Sequence, residues 1–206
     1  MARGIILFGP AGSGKTTLGR LVAEALGFPL FELDRYVWRQ DTERPFTVMY
    51  STQEKASRLM ADISRGRHFV MEGSMSSFHA PFDPLFDLAV YLLADTQIRM
   101  VRIQQRAKAR FGDRVLPGGD LYEGHQKFLD AAARYDTDGS PNQRAHQMWA
   151  ESLPCPVLQL RGEDSPAENL KQVLHAYEKV VREPRCGDHM EGPVSYTHLT
   201  LPTNRE

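Results

Sequence analysis

The clearest chemical signal in the chain lies at residues 9–16, which read Gly-Pro-Ala-Gly-Ser-Gly-Lys-Thr. This segment matches the phosphate-binding pattern G-x-x-x-x-G-K-[ST] at every fixed position. Gly9, Gly12 and Gly14 permit backbone angles and close approaches that a Cβ would forbid. The N–H groups of such a loop can form a concave nest for phosphate oxygens. The alternative is an ordinary glycine-rich turn between a strand and a helix.

The polar side chains of this segment supply charge and metal-binding oxygen. Lys15 can reach the β- and γ-phosphates as a point charge, and the Thr16 hydroxyl can ligate Mg²⁺. A helix that begins near Gly14 adds unpaired N–H groups and the positive end of its dipole. We therefore predict that the segment binds a nucleotide through Gly9, Pro10, Ala11, Gly12, Ser13, Gly14, Lys15, Thr16 and Thr17.

A strand before this loop and a helix after it are both indicated by the sequence. Residues 4–8 are an apolar run suited to a buried parallel strand, and residues 14–26 place apolar side chains at helical spacing. Further strands are predicted at 29–33, 68–72, 87–94 and 156–161, and further helices at 52–65, 96–110, 122–135 and 142–151. A final helix is predicted to open at Ser165 and Pro166. This alternation predicts an α/β fold with a five-stranded parallel sheet and helices on both faces.

Polar residues follow several of the predicted strands. Gly9, Asp34, Glu72 and Asp95 each stand where a strand ends. Ligands of parallel sheets bind beyond the carboxyl ends of the strands. We therefore expect these residues at the same edge of the sheet as the phosphate-binding loop.

The order of these parts resembles the small P-loop kinases, the group that includes nucleoside monophosphate kinases, shikimate kinase and gluconate kinase. Residues 110–123 are also similar to a stretch of bacterial AAA-family, adenylate-kinase-like ATPases. The resemblance implies a three-layer P-loop NTPase fold over residues 1–183, with a helical lid at about 110–125. It further implies transfer of the γ-phosphoryl group of ATP, with Mg²⁺, to a small hydroxyl- or phosphate-bearing acceptor.

This resemblance assigns roles to two carboxylates. Glu72 would hold Mg²⁺ directly or through water, at a position where those kinases more often have Asp; otherwise it is a solvent-facing carboxylate. Asp34 matches an Asp that meets the acceptor hydroxyl or the Mg²⁺ shell in shikimate and gluconate kinases. It would accept the acceptor's proton or align its oxygen, and it can also serve as the N-cap of a helix at residues 35–40.

Four arginines lie at helical spacing in the predicted helix at 96–110. Arg99, Arg102, Arg106 and Arg110 follow one another at steps of three, four and four, which places them along one stripe. For Arg106 and Arg110, nearest the lid, the resemblance implies a clamp on phosphates. For Arg99 and Arg102 we expect a solvated basic face paired with acids. No aromatic platform interleaves with the stripe, so we expect no nucleic-acid binding.

The acceptor stays open at this point. The chain lacks the Asp-Gly-Phe-Pro-Arg stretch of adenylate kinases and the Gly-Gly-Gly run of shikimate kinases. Trp38, Phe46 and Tyr50 lie where an acceptor would be covered; they can shape its pocket, although core packing is the commoner reason for such residues. An alternative from another functional class is a nucleotide-binding ATPase switch that acts on a protein partner.

Composition narrows the remaining possibilities. The 206 residues carry a net charge of −1, which gives no general attraction to nucleic acid or anionic membranes. Cys155 and Cys186 have no metal-like spacing, and none of the seven histidines forms a pair at zinc-ligand spacing, so we assign no role to any histidine. A strand so near the N-terminus leads us to expect no signal peptide. We expect a cytoplasmic protein with reduced thiols, as a monomer or homodimer.

The last residues need separate treatment. Val194–Thr203 reads Val-Ser-Tyr-Thr-His-Leu-Thr-Leu-Pro-Thr, which resembles the translation of a sequencing-library adapter. We therefore expect the natural reading frame to be lost near Pro193, and we leave residues 194–206 out of the reasoning. Residues 184–206 are expected to form a disordered tail.

Overall fold

The computed structural model describes residues 2–182, without the side chain of Ser76, and the expectations for residues 184–206 lie outside this range. Within it, strands and helices alternate as the sequence predicts. The strands are β1 (Arg3–Phe8), β2 (Leu30–Glu32), β3 (His68–Glu72), β4 (Phe86–Leu93) and β5 (Val157–Arg161). The helices are α1 (Lys15–Leu26), α2 (Asp34–Val37), α3 (Thr52–Ile63), α4 (Thr96–Phe111), α5 (Tyr122–Ala133), α6 (Gln143–Ser152) and α7 (Pro166–Arg182).

The five strands form one parallel sheet in the order β2-β3-β1-β4-β5. Strand β1 is central and pairs with β3 on one side and β4 on the other. Because every pairing is parallel, the carboxyl ends of all strands lie at one edge of the sheet, called the rim below. Leu7 pairs with Glu72 there, and the N–H of Gly73 donates to the carbonyl of Leu7 at 3.0 Å. The predicted fold class is confirmed.

Alternating side chains of β1 separate two hydrophobic layers. Ile6 and Phe8 are fully buried on the face covered by α3 and α6, together with core residues of those helices such as Leu59. Ile5 and Leu7 are fully buried on the opposite face, which α1 and α7 cover. This two-sided burial explains why the strand sequence is a continuous apolar run rather than an alternating one.

Local signals set most of the helix starts. Helix α3 begins at a capping box, in which the Ser51 hydroxyl accepts from the N–H of Glu54 and the Glu54 carboxylate accepts from the N–H of Ser51. Helix α4 is capped by Asp95, whose carboxylate accepts from the N–H of Gln97 at 2.7 Å. Across residues 2–182, no helix combines the length and apolar character that crossing a membrane requires.

Two segments contain short helical turns that the sequence did not indicate. Strand β2 stops at Glu32 because the chain turns at buried Leu33 into the short helix α2. The Ser/Pro-rich segment expected as a loop at 74–86 contains 3₁₀ turns at Ser76–Phe78 and Asp83–Leu85. Buried apolar side chains hold these turns against the sheet, Phe82 among them.

The expectation of a solvated basic face paired with acids is confirmed only for the pairing of Arg99 with Asp136, because neither Arg99 nor Arg102 is exposed. Arg99 is fully buried and donates to the carbonyls of Ala94 and Ala132, both at 3.0 Å, and to Asp136 at 2.9 Å. Arg102 is half-buried, and its guanidinium donates to backbone carbonyls. The sequence stripe gave no sign of the segments that pack over the start of α4 and supply these acceptors.

Candidate active site

The phosphate-binding loop is pressed closely against its neighbours. Gly9 has φ 139° and Gly12 has φ 81°, which are backbone conformations that favour glycine. A Cβ on Gly9 would stand 2.2 Å from the carbonyl oxygen of Leu92, and one on Gly12 would stand 2.7 Å from that of Arg99. The loop is therefore held between the end of β4 and the start of α4, and both glycines are required for this fit.

The N-terminus of α1 lies in this loop without a side-chain cap. Gly14 occupies the cap position, so no side chain caps the N–H groups of the first turn, in contrast to α3 and α4. Its N–H groups and the positive end of the helix dipole therefore suit an anion. The Lys15 ammonium donates to the carbonyl of Pro10 at 2.7 Å, within the same loop.

The Lys15 ammonium is buried near several charged side chains at the rim. Burial lowers the pKa of its ammonium to about 8, against the opposing influence of the nearby Glu72 and Asp34 carboxylates. The positive charges of Arg106 and Arg99 lower this pKa further. The structure therefore brings Glu72, Asp34 and Arg106 within electrostatic range of Lys15, although the four residues belong to separate segments of the chain.

The side chains of Glu72 and Thr16 are hydrogen-bonded to each other near Lys15. Glu72 is only 7% exposed, and burial raises the pKa of its carboxyl group, whereas Lys15 and a hydrogen bond with the Thr16 side chain lower that pKa. No cluster of three His, Cys, Asp or Glu side chains suited to a metal occurs among residues 2–182. One hydroxyl and one carboxylate fit Mg²⁺, which prefers oxygen ligands and usually completes its shell with water and substrate phosphates.

Asp34 is exposed at the rim as the first residue of α2. The N-cap position of α2 belongs to Leu33, and no side-chain cap bond is made there. The alternative role of Asp34 as an N-cap is therefore wrong. Its carboxylate acts electrostatically on both Lys15 and Glu72, so it lies on the same side of the sheet as the loop.

The arginines at the far end of α4 differ in their partners. Arg106 and Arg110 are exposed, and neither forms an ion pair within the described part of the chain. The Arg110 guanidinium lies over the ring of Phe46 at 5.3 Å and that of Phe111 at 5.1 Å. Arg114, by contrast, forms a two-point pair with Asp120 at 2.9 and 2.7 Å, which closes the loop after α4.

The segment expected to cover the acceptor forms an irregular loop between α2 and α3. Trp38 pairs with Met49 in an isolated antiparallel bridge. Phe46 has φ 60°, is 39% exposed and contacts the Trp38 ring edge-on at 6.1 Å. Tyr50 is half-buried beneath the Arg58 guanidinium, 4.0 Å from its ring centre. None of the three aromatic residues lies among the buried core residues, so the core-packing interpretation is wrong.

A cavity of about 320 Å³ adjoins the phosphate-binding loop on the side of β5 and α7. Arg102 forms part of its wall. The Arg102 guanidinium connects the phosphate-binding loop to the segment after β5, because it donates to the carbonyls of Gly12 at 3.4 Å and Gly162 at 2.9 Å. Its volume lies within the range of small-molecule sites. Thr17, which is exposed, lines the entrance of the same cavity.

One group near the site was missed by sequence reasoning. The His146 ring lies between Ser74 and Tyr135, with hydrogen bonds of 3.3 and 2.9 Å, and the charge of Lys15 acts on it. Ser74 follows β3, whereas Tyr135 and His146 come from the region after α5. No spacing rule connects residues so far apart, so the sequence contained no signal for this cluster.

Comparisons with known proteins agree with this geometry. A family model described as an AAA domain (AAA_18) matches residues 5–114. The protein YqaC of Bacillus subtilis (strain 168) is 30% identical over 176 residues, covering 84% of this chain and 97% of that protein. A shikimate kinase of Gloeobacter violaceus is 27% identical over 184 residues, covering 81% of this chain and 100% of that protein.

Among solved structures, the shikimate kinase of Acinetobacter baumannii in complex with shikimate has a similar fold. Its TM-score is 0.51 at 18% identity, covering 87% of this chain and 94% of that one. These similarities agree with the parallel sheet, the phosphate-binding loop and the uncapped N-terminus of α1. The fold is that of the small P-loop kinases, and the chain belongs to the AAA domain family.

Proposed function

We propose that this protein is a small-molecule kinase that transfers the γ-phosphoryl group of ATP, with Mg²⁺, to a small hydroxyl- or phosphate-bearing acceptor. The observation that carries the proposal is the meeting of Glu72, Asp34 and Arg106 around the ammonium of Lys15. Phosphoryl transfer needs a cation on the moving group, a carboxylate on the metal side and a group that orients the nucleophile. A relative named shikimate kinase supports a small-molecule acceptor.

The proposed reaction forms a bond between the acceptor oxygen and the γ-phosphorus, while the bond from that phosphorus to the β–γ bridging oxygen breaks and releases ADP. Lys15 exchanges the carbonyl of Pro10 for the β- and γ-phosphates. Asp34 aligns an acceptor hydroxyl or takes its proton. Thr16 and Glu72 would hold Mg²⁺, which neutralises charge on the phosphates.

Helix α4 connects the two halves of the site. The Arg110 guanidinium lies over Phe46 of the segment that covers the acceptor, while Arg106 acts on Lys15 of the nucleotide loop. In the proposed mechanism both arginines contact the transferred group or its leaving oxygen. The cavity beside Thr17 would receive the base of the nucleotide. We expect the protein to act in the cytoplasm, as a monomer or homodimer.

A transfer assay tests the proposal. Purified protein is incubated with Mg²⁺, γ-labelled ATP and either shikimate, gluconate, CMP, deoxyadenosine or a protein-free metabolite extract. We expect label to move to a small organic acceptor with the wild type and not with Lys15→Ala. Release of labelled phosphate alone, stimulated by a protein fraction and by none of the small molecules, would favour the ATPase switch instead.

A further inference from the structure

Four polar side chains from separate segments form one continuous hydrogen-bonded chain beside the site. The Tyr91 hydroxyl lies 2.8 Å from that of Tyr135, the Tyr135 hydroxyl lies 2.9 Å from Nδ1 of His146, and Nε2 of His146 lies 3.3 Å from Oγ of Ser74. Tyr91, Tyr135 and His146 are each at most 4% exposed, whereas Ser74 is half-buried. The chain of hydrogen bonds therefore starts at Tyr91 in the core and ends at Ser74 near the rim.

The His146 ring is fixed in position and is neutral. Phe8 and Tyr91 contact it edge-on, with ring centres at 5.6 and 6.1 Å, so the imidazole cannot turn freely. Burial lowers the pKa of His146 to about 4, and the charge of Lys15 lowers it further. At pH 7 the ring therefore carries one N–H, and one ring nitrogen donates while the other accepts.

Counting hydrogens sets the direction of the chain. If Ser74 donated to His146, the imidazole would donate to Tyr135 and Tyr135 to Tyr91. The hydroxyl hydrogen of Tyr91 would then be buried with no acceptor among the described residues, which is unfavourable. In the opposite direction, Tyr91 donates to Tyr135, Tyr135 to Nδ1 of His146, and Nε2–H to Oγ of Ser74. Every buried hydrogen then has an acceptor, and the Ser74 hydroxyl hydrogen is left for the rim.

Ser74 lies two residues after Glu72, at the carboxyl end of β3. It follows Gly73, whose N–H is bonded to Leu7, and Leu7 lies two residues before Gly9. Its oxygen already accepts from His146, so what it offers outward is a hydrogen. The charges near the rim are mixed, with Lys15 and Arg106 as cations and Glu72 and Asp34 as carboxylates. The donated hydrogen therefore decides the preference, because a hydroxyl donates a stronger hydrogen bond to an anionic oxygen than to a neutral one.

We propose that Ser74 binds the acceptor by donating its O–H to a carboxylate or phosphate oxygen, and that His146 and Tyr135 are positioning residues that aim this hydroxyl. The inference rests on the proposed kinase function and adds the chemical class of the acceptor. It assigns a role to a histidine that no sequence pattern singled out. Shikimate and gluconate represent carboxylates, CMP a phosphate, and deoxyadenosine an acceptor without anionic oxygen.

Side-chain ¹⁵N NMR of the full-length protein tests the direction of the chain. His146 is assigned by comparison with His146→Gln. We expect the neutral tautomer with hydrogen on Nε2 at pH 7, and we expect Tyr135→Phe to weaken this preference because Nδ1 loses its donor. A ring protonated on Nδ1 in the wild type would overturn the proposed aim of Ser74.

Calorimetry with Mg²⁺ and ADP present tests the contact with the acceptor. We expect Ser74→Ala to weaken binding of the carboxylate or phosphate probe about tenfold or more, with ADP affinity unchanged and deoxyadenosine unaffected. Ser152→Ala, which removes a hydroxyl that donates to the Trp149 carbonyl of its own helix, is the matched control and should bind like the wild type. His146→Leu should behave like Ser74→Ala, whereas His146→Gln, which keeps an N–H donor, should bind more tightly than His146→Leu.

The outcomes separate this inference from the proposed function. Binding of an anionic probe that depends on Ser74, without phosphoryl transfer, would support the contact and contradict the kinase. Phosphoryl transfer with equal acceptor affinity in Ser74→Ala and wild type would support the kinase and overturn the contact. Failure of the wild type to bind any probe would overturn both.

Discussion

The buried guanidinium of Arg99 donates to the half-exposed carboxylate of Asp136 at 2.9 Å. This contact joins the start of α4, which backs the phosphate-binding loop, to the segment that follows α5. Arg99 also lies 5.2 Å from the centre of the Tyr135 ring. Arg99 therefore links the helix behind the phosphate-binding loop to the segment that follows α5.

Replacing this cation should destabilise the fold. Arg99→Met removes the donor to the Ala132 carbonyl as well as the ion pair. We expect the free energy of unfolding to fall by about 2–4 kcal/mol in urea titrations. Arg134→Ala breaks an exposed pair with Asp138 and should change it by less than about 1 kcal/mol. If the free energy of unfolding fell equally in the two variants, the buried position of Arg99 would not contribute more to stability than an exposed ion pair.

Gly12→Ala should prevent nucleotide binding. Its Cβ would stand 2.7 Å from the Arg99 carbonyl oxygen, at a φ of 81° that alanine rarely adopts. We expect ATP affinity to fall by about 100-fold or more, measured by calorimetry. Gly124→Ala in α5 meets no atom within 4 Å and should leave ATP affinity unchanged while stabilising the helix slightly. Normal ATP binding by Gly12→Ala would mean that the loop does not close around phosphate.

Arg110→Ala should reduce turnover more than ATP affinity. In the proposed mechanism this arginine acts on the charge of the transition state, so its loss appears in kcat rather than in the KM for ATP. We expect kcat to fall by about 100-fold. Arg114→Ala is the control, because that guanidinium is already paired with Asp120. Equal losses in kcat and in ATP affinity would instead indicate that Arg110 binds phosphate uniformly.

ATP binding should take up protons at alkaline pH. The pKa of Lys15 is about 8 in the free protein, and bound phosphates would raise it because they favour the charged ammonium. Binding above about pH 8 therefore protonates Lys15, and affinity falls as the pH rises through this range. Calorimetry in buffers of different ionisation enthalpy measures the uptake. If Lys15→Met took up the same number of protons on binding ATP, another group would be the one that is protonated.

The sequence predicted the elements because their signals are local. The apolar run before Gly9 and the amphipathic helix after it can each be identified from a short stretch of consecutive residues. The predicted strand limits agree with the structure to within about one residue. The positions of Asp34 and Glu72 at the rim follow from strand order alone. What the sequence could not predict depends on long-range packing: the burial of Arg99, and the contact of Arg110 with Phe46.

The His146 cluster shows the same limit more sharply. Its members come from β4, from the turn after α5, from α6 and from the end of β3, and they meet only because the sheet and α6 pack around Phe8. A histidine without a partner at short spacing gives no pattern to interpret. Only coordinates distinguish a buried imidazole between two hydroxyls from a histidine on the surface.

Titration calorimetry of the purified protein with ATP in the presence of Mg²⁺ tests the central claim most directly. We expect saturable binding at one site per chain, weakened at least about tenfold in Lys15→Ala, because the loop then offers its amides without the ammonium. Folded wild-type protein that releases or absorbs no heat with either ATP or GTP would contradict the assignment of residues 9–16 as a nucleotide site.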